Sequence, residues 1–215
     1  MQTFFKRSNF SSRGLPAQAG FTLIELLAVA AIIVLITAFV LFRQSKFNSS
    51  TLLRSLSYSV ALSLRQAQTY GTASRESTTG SGMFGQSYGV HFAAAASGSY
   101  TLFVDLNANG RFDTNETVTT FQLGRGYAIS NFCAAPSLAG PCSSDGSIQS
   151  LDIVFKRPSA NVCVSTDTQS GVCAQGGSPA YSGAYVQVRS DSEPTATRGI
   201  TVNLAGQISV GAVGS

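Results

Sequence analysis

Residues 21–42 read FTLIELLAVAAIIVLITAFVLF, 22 residues interrupted only by Thr22, Glu25 and Thr37. At about 1.5 Å per residue, a helix of that length reaches roughly 33 Å and crosses the hydrocarbon core of a bilayer. A secretory signal peptide is the competing reading, but its apolar region runs to about 7–15 residues and ends in small residues at a cleavage site. Here Phe39, Val40, Leu41 and Phe42 close the run and Arg43 follows. Residues 21–42 are therefore expected to form a membrane-spanning helix.

Glu25 sits badly in such a span. A carboxylate there costs about 2.5–3.5 kcal/mol even on the lenient insertion scale, so it needs a partner. No Lys or Arg lies within one turn of it. An α-amino group, with a pKa of about 8, would serve if the chain were cut just before Phe21.

The run Gly20-Phe21-Thr22-Leu23-Ile24-Glu25 resembles the prepilin cleavage motif of type IV pilins and type II secretion pseudopilins. The resemblance implies cleavage between Gly20 and Phe21 by a prepilin peptidase, N-methylation of Phe21, and pairing of Glu25 with the N-terminus of a neighbouring subunit during assembly. It implies as partners the peptidase, other pilin or pseudopilin subunits, an inner-membrane assembly platform and membrane lipid. The implied location is the cytoplasmic (inner) membrane, single-pass with an extracytoplasmic head, and then the pilus or pseudopilus. The leader, residues 1–20, carries Lys6, Arg7 and Arg13 and no acid, as expected of a segment left in the cytoplasm. Arg43 and Lys46 stand on the other side of the span, so orientation rests on the motif.

Beyond the span, Leu53, Leu56, Val60, Leu64 and Ala67 recur at helical spacing, with Arg54, Ser57, Arg65 and Gln68 between them. An amphipathic helical stalk over residues 43–71 follows, its apolar stripe expected to pack on a sheet. Residues 72–215 read as a globular β-rich head. Strands are expected at Tyr88–Phe92, Tyr100–Val104, Thr117–Phe121, Leu151–Phe155, Asn161–Val164, Ala184–Val188, Ile200–Leu204 and Gln207–Val210, with a hairpin turn at Gly206-Gln207. The Gly/Ser/Thr stretch 71–85 reads as a connector and 211–215 as a fraying tail. The expected fold class is α+β: a long N-terminal helix packed on an antiparallel β-sheet head, pilin-like. The head resembles that of GspH/FimT-like pseudopilins through SLRQAQTYG and YTLFVDLNANGRFD, and the absence of Pro at the membrane exit leans towards a minor pilin or pseudopilin.

Charged residues make up only 11% of the 215, against a usual quarter, which excludes a charge-rich cytosolic enzyme and a disordered charged tail. The net charge of +4 invites a nucleic-acid reading. Removing the leader leaves 11 basic against 10 acidic residues, so most of that charge belongs to targeting.

Four cysteines lie in two close pairs, Cys133 with Cys142 and Cys163 with Cys173, each flanking a turn-rich loop. Two sequential disulfides suit an oxidising, extracytoplasmic head. Zinc lacks a C-x-x-C spacing and a second His. Residues 105–116, DLNANGRFDTNE, place Asp105, Asn107, Asn109, Arg111 (through its carbonyl), Asp113 and Glu116 at the ligand positions of an EF-hand loop, with Gly110 at the turn. The flanks are strand-like, so a hairpin loop binding Ca2+ at roughly 10⁻⁴–10⁻³ M is the expectation. A plain Asn-Gly turn held by Asx hydrogen bonds is the competing reading. No other cofactor is required.

Gly80-Ser-Gly82-Met-Phe-Gly85 spells G-x-G-x-x-G, but no strand precedes it and no helix follows. Gly85-Gln-Ser87-Tyr-Gly89 spells G-x-S-x-G without the strand-turn-helix setting of a nucleophile elbow, and His91 reads as a half-buried strand residue. No enzyme is expected. The leading function is a structural pilin-like subunit, processed and assembled into a type IV pilus or a type II secretion pseudopilus. The alternative is a DNA-binding minor pilin of an uptake filament, against which Lys156, Arg157, Arg189 and Arg198 are scattered and Gly206-Gln207 stands where the FimT-like resemblance implies a Gly-Arg segment.

Overall fold

The computed structural model describes residues 20–73, 76, 82, 84–124, 126–158, 161–170 and 180–212. The chain divides into two compact units, residues 1–44 and 45–215. One α-helix, α1 (Leu23–Thr72), contributes to both. In the first unit, every residue described from Gly20 to Phe42 is exposed, and among the described residues Leu23–Phe42 is the one helical run long and apolar enough to cross a membrane.

The second unit holds the rest of α1 and nine strands among the described residues: β1 (Ser87–Ala93), β2 (Ser99–Asp105), β3 (Thr117–Gln122), β4 (Tyr127–Cys133), β5 (Ser150–Phe155), β6 (Val162–Thr166), β7 (Gly183–Ser190), β8 (Thr197–Asn203) and β9 (Ile208–Ala212). They form two antiparallel sheets, ordered β3-β2-β1-β5-β6 and β4-β7-β8-β9. The α+β, pilin-like class expected from the sequence is the observed one.

One core joins helix and sheets. Leu53, Val60, Ala61, Leu64 and Ala67 are buried with Val90, Phe92 and Ile153 of the first sheet and Val186, Ile200 and Val202 of the second, and Leu56 packs against them. The sequence stripe is thus the face that the head covers. Burying such side chains stabilises by about 1.5–3 kcal/mol each, enough to order a helix that would be marginal alone. Two polar contacts fix it: Ser63 Oγ lies 3.0 Å from the buried Tyr100 hydroxyl on β2, and Gln68 Nε2 donates to the Gly206 carbonyl at 2.9 Å. Near its end the helix presses on β5, where a Cβ at Gly71 would run into the Phe155 carbonyl oxygen.

Strand β4 was not expected. Its register with β7 shifts between Ile129 and Asn131. That bulge breaks the period-2 pattern and leaves Asn131 buried, where its side-chain oxygen accepts from Ser143 Oγ at 3.0 Å and the Ser144 N–H at 3.1 Å. The hairpin at Gly206 forms as expected, with Gly206 at φ +78° and its N–H donating to the Asn203 carbonyl. Strand β9 runs to Ala212, past the point where the tail was expected to fray, and residues 213–215 lie outside the described residues. Most of the 71–85 connector also lies outside them; within it Glu76 and Phe84 form an antiparallel bridge.

Candidate functional site

Gly20, Phe21 and Thr22 precede α1, and all three are exposed. Thr22 caps the helix: its Oγ1 accepts the Glu25 N–H at 3.3 Å, and its carbonyl accepts from Glu25 and Leu26 at 3.1 and 3.2 Å. Thr22-x-x-Glu25 therefore has the spacing of a capping box, with Glu25 in the first turn, where the helix dipole favours a carboxylate. The Glu25 side chain is exposed and finds no hydrogen-bond or ion-pair partner among the described residues. The other polar side chain of the span is satisfied locally, since Thr37 Oγ1 donates to the Ile33 carbonyl at 2.7 Å.

The loop between β2 and β3 brings the six calcium candidates together but turns their oxygens inwards on the chain. The carboxylate of Asp105, only 1% exposed, accepts the N–H groups of Asn109 and Gly110, both at 3.0 Å. Asn109 Oδ1 accepts the Arg111 N–H at 2.7 Å. The side-chain amides of Asn107 and Asn109 both donate to Asp113 Oδ2, at 2.8 and 3.1 Å. Glu116, also 1% exposed, accepts from the N–H of Leu106 at 2.9 Å and of Asp113 at 3.1 Å, closing a capping box on the short 3₁₀ turn Thr114–Glu116. Ala108 and Gly110 take positive φ, +60° and +73°, which wraps the chain around Asp105. Burial pushes the Asp105 carboxyl above its ordinary value, the Gly110 N–H pulls it back, and the charge of Glu116 adds to the rise. Among the described residues no three His, Cys, Asp or Glu side chains are grouped to hold a metal ion. A calcium ion here would have to draw Asn107 and Asn109 oxygens into the place their amide nitrogens now take beside Asp113.

The look-alike catalytic motif resolves into structure. Ser87 is buried at the start of β1, and His91 Nδ1 stands 2.6 Å from Asp152 Oδ1, its partner directly across on β5. The Phe112 ring covers His91 at 4.5 Å and meets Phe103 edge-on at 5.5 Å, tying the β2–β3 loop to the sheet. Gly80, Ser81 and Met83 of the G-x-G-x-x-G string lie outside the described residues. Cys133 is joined to Cys142, the sequential pairing; Cys163 is disulfide-bonded, and Cys173 lies outside the described residues. Of the basic candidates, Arg189 is engaged by Asp191 at 3.5 Å. A buried tyrosine on β7, Tyr185, carried no motif in the sequence.

Residues 15–41 of the chain match the family described as the prokaryotic N-terminal methylation motif. Over this N-terminal segment the chain is type IV pilin-like. The matched segment contains Gly20, Phe21, the Thr22 cap and Glu25, so the motif and the helix start coincide. It marks a structural, membrane-anchored subunit that a prepilin peptidase processes and that assembles with other pilin subunits. No curated protein and no solved structure matches the chain.

Proposed function

We propose that this pilin-like protein is a minor pilin or pseudopilin of the GspH/FimT-like kind, cut between Gly20 and Phe21, methylated on Phe21, and built into a type IV pilus or a type II secretion pseudopilus. The observation that carries the reading is the fully exposed apolar run from Leu23 to Phe42, headed by a capped Glu25 that has no partner among the described residues. Such a surface is stable only in lipid or against other apolar helices. In the second unit α1 likewise leaves Leu52, Tyr58 and Leu62 exposed on the face that the head does not cover, which suits helix-to-helix packing. Glu25 would dock on the N-terminal amine of a neighbour, and the inner-membrane assembly platform would draw the subunit from the bilayer.

Intact mass of the membrane-extracted protein tests the processing step. Loss of residues 1–20 with gain of one methyl group is expected; an uncut chain in cells that hold the peptidase would overturn it. Crosslinking of a photoreactive residue at position 62 to a second pilin or pseudopilin subunit tests assembly, and the identity of the captured subunit assigns the machine.

A further inference from the structure

The turn that carries Glu116 also spells a modification pattern. Asp113-Thr114-Asn115-Glu116-Thr117 contains Asn-x-Thr with no proline between, the acceptor pattern for an N-linked glycan, and sets an acid two residues before the asparagine. Asn-x-Ser occurs twice more, as Asn9-Phe10-Ser11 in the leader and as Asn48-Ser49-Ser50 inside α1. Neither offers a solvent-facing turn on the head, which is where such a glycan is carried.

The fold presents Asn115 and Thr117 to solvent. The 3₁₀ turn Thr114–Glu116 is entered from an extended Asp113 (φ −114°, ψ 149°) and left through an extended Thr117 (φ −65°, ψ 124°). Glu116 is held inwards by the N–H groups of Leu106 and Asp113, while Asn115 and Thr117 on either side of it are exposed. The side-chain amides of Asn107 and Asn109 are spent on Asp113, and that of Asn203 on Gln207. The Asn115 amide makes no hydrogen bond among the described residues. The Thr117 hydroxyl donates only at 3.4 Å, to the Thr114 carbonyl. Both groups that a glycan transferase must grip are therefore within its reach. The turn also opens β3, the last strand of its sheet, whose residues Thr117–Gln122 include neither a charge nor a proline. An open edge of that composition invites pairing with another chain, and a bulky hydrated group on Asn115 would stand beside it.

We propose that Asn115 is the acceptor of an N-linked glycan, transferred outside the cytoplasm from an oligosaccharide linked to a polyisoprenyl pyrophosphate. Asn115 Nδ2 attacks C1 of the first sugar. The C1–N bond forms, the C1–O bond breaks with its electron pair leaving on the lipid pyrophosphate, and one amide proton passes to a carboxylate of the transferase. Nothing is oxidised or reduced. The Thr117 hydroxyl is the group by which the transferase reads the pattern. This rests on the pilin-like reading in one respect, that the head lies on the extracytoplasmic side.

The test is the mass of the full chain extracted from the membranes of the cells that make it, read intact and on the peptide that holds Asn115. A surplus of whole sugar residues is expected, placed on Asn115 by fragmentation. Asn115→Gln should abolish it. Thr117→Val, which removes the hydroxyl and keeps the β-branched shape, should abolish it too, whereas Thr117→Ser should retain it. Both positions are exposed, so these variants keep the fold, as an unchanged near-ultraviolet circular dichroism spectrum will show. Asn115 unmodified in the wild type, or a glycan that survives Thr117→Val, overturns the proposal. The leader reports separately in the same spectrum: a cut, methylated chain with a bare Asn115 sinks the glycan alone, and an uncut chain that carries the glycan sinks the processing alone.

Discussion

Replacing Glu116 by Ala separates a carboxylate that holds the β2–β3 loop from one that waits for calcium. Glu116 accepts two backbone N–H groups, from Leu106 and Asp113, in a site sealed from water. Hydrogen bonds to a charged group contribute about 1.5–3 kcal/mol each, so truncation orphans two donors at a gross cost of roughly 3–6 kcal/mol. Part is returned, because the Glu116 charge opposes ionisation of Asp105 and its removal relieves that repulsion. A net loss of roughly 2–4 kcal/mol remains, a drop of about 4–16 °C in melting temperature for a unit of this size. Thermal melts of the full chain in micelles, followed by near-ultraviolet circular dichroism in chelator and again in millimolar calcium, give the answer. The loss is expected in full in chelator. If Glu116→Ala melts with wild type in chelator and falls behind only when calcium is added, Glu116 is a metal ligand and the internal hydrogen-bond account is wrong.

Asp105 should titrate above the ordinary 3.8 in a carbon-detected NMR titration, and Glu116→Gln should bring it down by removing the neighbouring charge. Because its folded-state value is raised, Asp105 favours the folded state most below its unfolded pKa and gives that contribution up as pH rises through the folded value. Ser63→Ala should cost about 1–2 kcal/mol by orphaning the buried Tyr100 hydroxyl, and Ser63→Ala with Tyr100→Phe should recover most of it; a double variant no better than the single one would refute the pairing. Converting Cys133 and Cys142 together to Ala opens a loop with a separation of 9 residues, for which chain entropy gives about 2.5 kcal/mol of lost stability by denaturant titration.

The membrane run and the stripe from Leu53 to Ala67 were legible because both are one-dimensional patterns: an unbroken apolar length, and a period that only a helix turns to one side. The disulfide of Cys133 was legible from spacing for the same reason. Strand β4 was not, since its bulge puts Ser130-Asn131 where alternation calls for an apolar residue, and Asn131 is satisfied by Ser143 and Ser144, more than ten residues on. The loop 105–116 was legible as a turn but not as to what its carboxylates face. Asp and Asn at alternate positions before Gly suit a cation and Asx hydrogen bonds equally, and the sequence does not show which backbone N–H groups the side-chain oxygens meet. Tyr185 was invisible for a different reason: its burial depends on Gly199, brought beneath its ring by strand pairing.

The geometry at Glu25 bears on why assembly would need that residue. At the third position of α1 its carboxylate gains about 0.3–1 kcal/mol from the helix dipole, whereas lodging it in lipid costs about 2.5–3.5 kcal/mol. Local structure leaves roughly 2 kcal/mol uncompensated, and a partner must supply it. The Thr22 hydroxyl is committed to the cap and the Thr37 hydroxyl to Ile33, so neither competes for that partner. On the proposed processing, each subunit also gains a cationic amine at Phe21, at the positive end of its own helix, where the dipole disfavours it. Every subunit then carries an amine that its own helix repels and a carboxylate that its own span leaves unpaired. Pairing between neighbours answers both. Along an otherwise apolar span, that pair is also the one directional contact able to set the stagger between adjacent helices.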